Sequence, residues 1–349
     1  MAETLLAKRD IRKLKLEELT EFFVQHGEKP FRAKQVYEWL WNKSAKSFEQ
    51  MTNLSVELRD KLKLHFVINH IKVDHMQRSE DGTIKNAVTL HDGLVVESVL
   101  IPAEKRITAC VSSQVGCSLA CKFCATARLK RQRNLSPDEI YDQVVAIKEQ
   151  SEAFFGRPLT NIVFMGMGEP LLNYANVISA IEKITSQKGL NMATRRITVS
   201  TVGIAKMIMK MADDGVKFNL AVSLHAALNK TRSSIMPIND TNSLEDLGEA
   251  LRYWYQKTKR KVTYEYVVWQ GINDTEEHAK ALLKFCKIIP SKVNLIEYNP
   301  IDDGAFQQAP EEVLNMYMDL LEKNGITTRI RKSRGKDIDA ACGQLANKS

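Results

Sequence analysis

The sequence predicts an α/β fold: an incomplete (β/α) barrel preceded by a small N-terminal helical domain and an antiparallel β-ribbon linker. Three observations carry that prediction. From about Ile107, strand-like runs alternate with amphipathic helical stretches, the pattern of a parallel sheet with crossover helices. These form six or seven units, short of the eight that close a full barrel. Ahead of them lie helical periodicity and then two β-type runs, each opened by Asp-Gly.

Residues 1–70 read as the helical domain. Leu16, Leu19, Phe22 and Phe23 share one helical face, and Gly27 stands where that helix should stop. Phe31 to Trp41 and Ser55 to Phe66 continue in the same style. The aromatic residues Phe31, Tyr37, Trp39 and Trp41 read as the core of this unit rather than as a base-stacking surface. Residues 71–106 read as the ribbon. Asp81-Gly82 precedes TIKNAVTL and Asp92-Gly93 precedes LVVESVLI, a hairpin signal. Residues 107–349 hold the strand candidates TACVSS, NIVFM, RRITVS, FNLAVS, VTYEYVV, VNLIEY and TTRIRK. Ser136-Pro137-Asp138-Glu139 is a capping box with proline at the first helical position, and Ile140, Val144 and Ile147 follow at helical spacing. Leu244, Leu247, Leu251 and Trp254 form a second stripe, and the helix from Val313 to Leu321 ends at Asn324-Gly325.

Composition narrows the class. Of 349 residues, 44% are hydrophobic and 26% charged, which excludes disorder and collagen-like structure. Six cysteines are too few for a disulfide scaffold. No run approaches the roughly 18 apolar residues of a membrane span, and MAETLLAKRDIRKLK lacks the apolar core of a secretory signal. The expected location is cytoplasmic, where cysteines serve as ligands or catalysts. The net charge of +8 permits a nucleic-acid partner without establishing one.

Cys117-Ser-Leu-Ala-Cys121-Lys-Phe-Cys124 is the most informative stretch. Three thiolates on one short loop can hold three irons of a cubane and leave the fourth iron open. Electron-carrying clusters use four cysteines instead. A zinc site would want four closed ligands, with Cys110 as the available fourth, but zinc knuckles normally recur and no second knuckle follows. Cys286 shares a helical stripe with Ala279 and Leu282 and reads as core. Cys342 is different: Gly343 follows it and the basic stretch Arg329 to Lys336 precedes it, a setting that favours thiolate.

The cysteine spacing, directly after a barrel strand, resembles the signature of the radical S-adenosylmethionine (SAM) superfamily. That resemblance implies a [4Fe-4S] cluster on Cys117, Cys121 and Cys124, with SAM chelating the open iron and yielding a 5′-deoxyadenosyl radical on one-electron reduction. Met165-Gly-Met-Gly-Glu-Pro170 closes the second strand and resembles the motif that receives the amino group of SAM. Ser200, Ser223-Leu224-His225 and Asn299 fall at later strand ends, where such barrels gather ligand contacts.

CSLACKFC, MGMGEP, SLH, EYNP and DAACGQL occur together and in this order, and in this the chain resembles the RlmN/Cfr family of radical SAM RNA methyltransferases. The resemblance implies a (β/α)6-type barrel and an unusual methyl transfer. One SAM methylates the thiolate matching Cys342. A second provides the radical that takes a hydrogen from that S-methyl group, and the resulting methylene radical adds to adenine. The thiol matching Cys110 then attacks the Cys342 sulfur, forming a transient disulfide and freeing the methylated base. Glu97 matches a proton acceptor, although a glutamate in a ribbon ordinarily faces solvent. Gly168, Glu169, Ser200, Ser223, Leu224, His225 and Asn299 match SAM-contacting positions.

The implied partners are 23S rRNA, with tRNA an open extension, and a flavodoxin-like reducing electron donor. The chain is expected to be monomeric, with no membrane partner. Pro170 after Gly168-Glu169 favours methylation at carbon 2 of adenosine over the carbon 8 of Cfr-type enzymes. A metal-bearing RNA-binding protein without catalysis is the alternative from another class. The basic loop Ala127 to Arg133 suits phosphate, with a plain solvated surface loop close behind, and Arg128, Lys130, Arg131, Arg133, Arg195, Arg196, Arg331 and Arg334 are the candidate phosphate contacts.

Overall fold

The structure, a computed structural model, describes residues 8–301 and 304–347. Residues 1–7, on which part of the N-terminal reading rests, lie outside the described residues. Arg9–Asp10 (β1) pairs in parallel with Phe66–Val67 (β2), so the helical unit begins and ends at one place. Between them run α1 (Leu16–Gln25), α2 (Phe31–Trp41) and α3 (Val56–His65). Leu19, Phe23, Val36, Leu40, Trp41, Leu58 and Leu62 bury its core. Of the aromatic group expected there, Trp41 is buried and Tyr37 and Trp39 are half-buried, but Phe31 is 46% exposed, at the first position of its helix with Arg32 over the ring.

The ribbon is not a separate linker. Its strands β3 (Lys72–Arg78), β4 (Ile84–Thr89) and β5 (Val95–Ala103) are antiparallel, and β5 pairs directly with β6 (Arg106–Cys110). They form the edge of one ten-stranded sheet. After β6 come the two-residue strands β7 (Gln114–Val115) and β8 (Arg133–Asn134), which close the base of the cysteine loop. Helix α4 (Pro137–Phe155) then crosses to β9 (Asn161–Phe164), α5 (Tyr174–Thr185) to β10 (Ile197–Thr201) and α6 (Ala205–Asp213) to β11 (Asn219–Ser223). Two helices, α7 (Asn229–Ile235) and α8 (Leu244–Thr258), precede β12 (Val262–Val267). Helix α9 (Glu276–Cys286) leads to β13 (Ser291–Ile296), and α10 (Glu311–Lys323) to β14 (Thr327–Arg331). Every neighbouring pair from β6 to β14 in the main sheet is parallel. The run does not close on itself, because β6 pairs with β5 instead of β14. The α4 capping box forms as read, with the Ser136 N–H donating to Glu139 Oε2 at 2.9 Å, and Ile140, Val144 and Ile147 are buried beneath it. One expected strand ends early: β13 stops at Ile296, where the Glu297 N–H turns to the Arg331 carbonyl, so Asn299 lies in the loop beyond.

The helical unit docks on α4 through buried charge. The Arg12 guanidinium, only 3% exposed, stands 2.7 Å from Asp142 and 3.5 Å from Asp138, while Lys13 stands 2.6 Å from Asp138. Burial pushes the Asp142 carboxyl up to about 6, against the pull of Arg12. The Tyr141 hydroxyl donates to the Trp41 carbonyl at 2.6 Å. Removing one partner of such a cluster strands the others. Arg12→Ala should therefore destabilise the fold by about 3–5 kcal/mol in urea unfolding. A loss under about 1 kcal/mol, the range of an exposed ion pair, would contradict this docking.

Candidate active site

The strand ends and the cysteine loop converge on one cavity. Cys117, Cys121 and Cys124 line it beside Gly168, Glu169, Ser200, Ser223, His225, Asn299 and Cys342. The loop is held at several points. The Lys122 N–H donates to the Ile235 carbonyl at 3.0 Å, the Ala125 N–H to the Gly343 carbonyl at 2.7 Å and the Thr126 hydroxyl to the Leu345 carbonyl at 2.6 Å. The cluster loop and the segment carrying Cys342 are thus fastened to each other. Burial pushes all three loop thiols up, Cys117 to about 11. Iron binding reverses this, because a coordinating thiol gives up its proton outright. Among the described residues no three His, Cys, Asp or Glu side chains converge on a single point as around one ion. A cubane instead asks each thiolate to meet a different iron.

The Met165 to Pro170 loop presses against the strand end. At Gly168, with φ of +91°, a Cβ would stand 2.4 Å from the Gln114 Cβ, so only glycine allows this approach. Glu169 is buried. Its Oε1 accepts from the Leu171 N–H at 3.0 Å and its Oε2 from the Val202 N–H at 2.9 Å, while burial pushes the carboxyl up to about 7. An arriving ammonium would restore its charge. Ser200 and Ser223 stand on adjacent strands, their hydroxyl oxygens 3.4 Å apart.

His225 follows with φ of +57°, and its Nδ1 accepts from the Val267 N–H at 3.2 Å. Burial and the nearby Arg232 depress it to about 3, so the ring is neutral. Phe123 and Trp269 pack edge-on against it. Leu224, between these residues, departs from expectation: its side chain is fully buried in the core, away from the cavity lining, and its N–H donates to the Glu265 carbonyl.

Cys342 turns its exposed surface toward the cavity. Surrounding protein pushes its thiol up, and Arg331 pulls it down. Cys110 ends β6, buried, and is pushed up to about 12 by burial and by the neighbouring Cys342. The two thiols lie within electrostatic reach of each other. Cys286 packs in the core as read. Glu97 does not line the cavity. It is buried rather than solvent-facing, and its carboxylate is taken up by Lys85 and by the backbone of Ala346 and Asn347.

One cavity group, Glu265, and one buried group behind it that is not part of the lining, Arg232, leave no signal in the sequence. Glu265 lies within β12, whose pattern VTYEYVV reads only as β-structure, yet its buried Oε2 has no hydrogen-bond partner, with Arg331 3.8 Å away. Arg232 of α7 is fully buried and faces the cluster loop, reaching the Leu224 carbonyl and Asn239. The Asn299 amide donates to the Cys342 carbonyl at 3.2 Å, while its buried Oδ1 is also without a partner. Unpartnered buried acceptors in a cavity call for ligand donors. The ammonium and ribose hydroxyls of SAM are such donors, and three thiols with an open side suit the cluster. Arg133 is spent structurally, 2.6 Å from Asp92 and 2.8 Å from Glu139, whereas Arg128, Lys130, Arg131, Arg195, Arg196 and Arg334 are exposed. No helix among the described residues is long and apolar enough to cross a membrane.

Comparison with known proteins bears on this cavity. The family model of the ribosomal RNA large subunit methyltransferase N-terminal domain matches residues 9–68, and that of the radical SAM superfamily matches residues 111–285. A probable dual-specificity RNA methyltransferase RlmN of Christiangramia forsetii is 68% identical over 98% of this chain and 97% of its own. A protein of the same name from Salinibacter ruber is 45% identical over 94% and 91%. The crystal structure of a radical SAM methyltransferase from Sphaerobacter thermophilus superposes with a TM-score of 0.91 at 37% identity, covering 97% of this chain and 100% of that one.

Proposed function

The chain belongs to the RlmN family of radical SAM RNA methyltransferases, and from that membership we propose that it methylates carbon 2 of one adenosine in 23S rRNA, and of the adenosine beside the anticodon in tRNA, through a methyl carried on Cys342. The observation that carries this reading is the meeting of Cys342 with the Cys117-Cys121-Cys124 loop in one cavity; Cys110 stands outside the lining, buried at the end of β6 and within electrostatic reach of Cys342. When bound, the cluster and SAM supply the radical chemistry that an unreactive ring carbon needs.

The chain's own residues do the rest. Cys117, Cys121 and Cys124 hold the cluster. Gly168, Glu169, Ser200, Ser223, His225 and Asn299 orient SAM, the neutral His225 ring and its aromatic neighbours keeping water from one wall. The Cys342 sulfur takes the methyl as a thioether, giving up its proton, and so holds the carbon above the cluster loop. Once that carbon is joined to adenine, the Cys110 thiolate attacks the Cys342 sulfur. The bond from that sulfur to the carbon breaks toward the base, which takes up a proton as its methyl group is completed, and the Cys110–Cys342 disulfide left behind is reopened by a two-electron thiol reductant. Such a disulfide is catalytic, as fits a reducing cytoplasm. Glu97 can serve as the proton acceptor only after the C-terminal segment leaves its carboxylate. The exposed arginines named above face an RNA whose target nucleotide must be splayed out of its stack.

The test is to incubate the reconstituted enzyme with unmodified 23S rRNA and tRNA fragments and locate the methyl carbon in the digested nucleosides. Methylation at carbon 2 is expected on both; methyl at carbon 8, or on neither RNA, would overturn the reading.

A further inference from the structure

Four residues beyond Cys342 the backbone runs onto a buried carboxylate. Glu97 Oε2 accepts from the Ala346 N–H at 2.8 Å and from the Asn347 N–H at 3.1 Å. Its Oε1 stands 3.5 Å from Lys85 Nζ, and both side chains are at most 5% exposed. Glu97 pairs with Ala87 across β4 and β5, so Lys85, two residues away, lies diagonally on the same face. The Asn347 amide donates to the Val95 carbonyl at 2.8 Å.

The turn joining β3 and β4 also grips the segment upstream of Cys342. Asp81 accepts from the Gly335 N–H at 3.0 Å, and Asp337 accepts from the Ser79 hydroxyl at 2.6 Å and the Glu80 N–H at 3.1 Å. Cys342 therefore hangs between two anchorages on the antiparallel ribbon, one at its β3–β4 turn and one on β5.

We infer that Glu97 is a positioning residue, whose carboxylate clasps Ala346 and Asn347 and thereby sets where the Cys342 sulfur stands. The inference takes from the proposed function only the role of Cys342 as methyl carrier. It gives Glu97 a task in loading the sulfur, before any RNA is present. The chemistry of the clasp requires a carboxylate. Three donors surround it, two N–H groups and an ammonium, and only an acceptor on both oxygens satisfies them all. Such charge-assisted bonds are the stronger kind. An amide has one acceptor and one donor, so Glu97→Gln turns a donor toward either the ammonium or the backbone and leaves Lys85 buried without its counter-charge.

The experiment combines hydrogen-exchange mass spectrometry of the C-terminal peptide with the fraction of Cys342 bearing a methyl after SAM treatment without RNA. Glu97→Gln should speed exchange at Ala346 and Asn347 at least tenfold and lower Cys342 methylation by a similar factor. Lys85→Gln with Glu97→Gln lets the two amides pair, one oxygen facing the backbone N–H groups, and should restore both readouts to within about threefold of the unmodified protein. Should the single variant not fold, Glu97→Asp, which keeps the charge but draws it back by one methylene, must show the same two losses. Unchanged exchange, or normal Cys342 methylation with only RNA methylation lost, would overturn the clasp and leave Glu97 a proton acceptor alone. If the exchange responds as expected but unmodified protein never methylates Cys342, the proposed function fails while the clasp stands.

Discussion

Cys342→Ala should abolish methyl transfer to RNA, by at least about a thousandfold, because it removes the atom that carries the carbon. The same variant should keep its iron and sulfide and continue to cleave SAM. The contrast follows from where Cys342 sits. It faces the cluster loop across one cavity, but its fastenings to that loop run through the backbone carbonyls of Gly343 and Leu345, not through its sulfur. Alanine leaves those bonds intact. The cavity loses a nucleophile and little else. Measuring 5′-deoxyadenosine alongside methylated nucleoside separates the two. Methylation at more than a tenth of the normal rate would mean that the carbon travels by another route.

Cys121→Ser should fail earlier, at the cluster. Iron and sulfide are expected to fall below about a tenth of stoichiometric, and SAM cleavage with them, because iron–sulfur clusters are held by soft thiolates. Cys121 is buried, the next residue is pinned to α7 and the buried Arg232 lies close by. A solvent-facing cysteine would be more replaceable. The protein should nevertheless remain folded, since the sheet does not depend on the loop. Intact cluster absorbance in Cys121→Ser would remove this residue from the ligand set. The two variants divide the chemistry, one stopping carbon transfer with the cluster intact and the other stopping both.

What the sequence revealed about this cavity was its local chemistry. Cluster ligation depends on a few residues at close spacing, so Cys117, Cys121 and Cys124 declare themselves within eight positions. Glu169 likewise follows its glycines at a strand end. Residues whose setting depends on distant chain were harder. Leu224 stands between two cavity residues, yet a strand end alternates its faces and sends this side chain into the core. Glu97 lies in a ribbon that ordinarily has a wet face, and the C-terminal segment, about 250 residues on, covers it. Glu265 reads as one polar residue in an apolar strand, and only register across the sheet sets it opposite Ser223 and Asn294. The ribbon's fusion with the barrel sheet was hidden for the same reason. Hairpin turns are local, whereas the pairing of β5 with β6 leaves no mark in composition. Phe31 shows the reverse case, an aromatic residue that helical periodicity gathers with its neighbours although the first turn points it outward.

The central claim is that carbon passes through Cys342, and its most direct test is peptide mapping by mass spectrometry after the cluster-loaded protein has met SAM without RNA. One methyl group on Cys342 is the predicted result, and it should disappear when unmodified RNA is added and a single turnover allowed. A bare Cys342 in protein that goes on to methylate RNA at its full rate would contradict it.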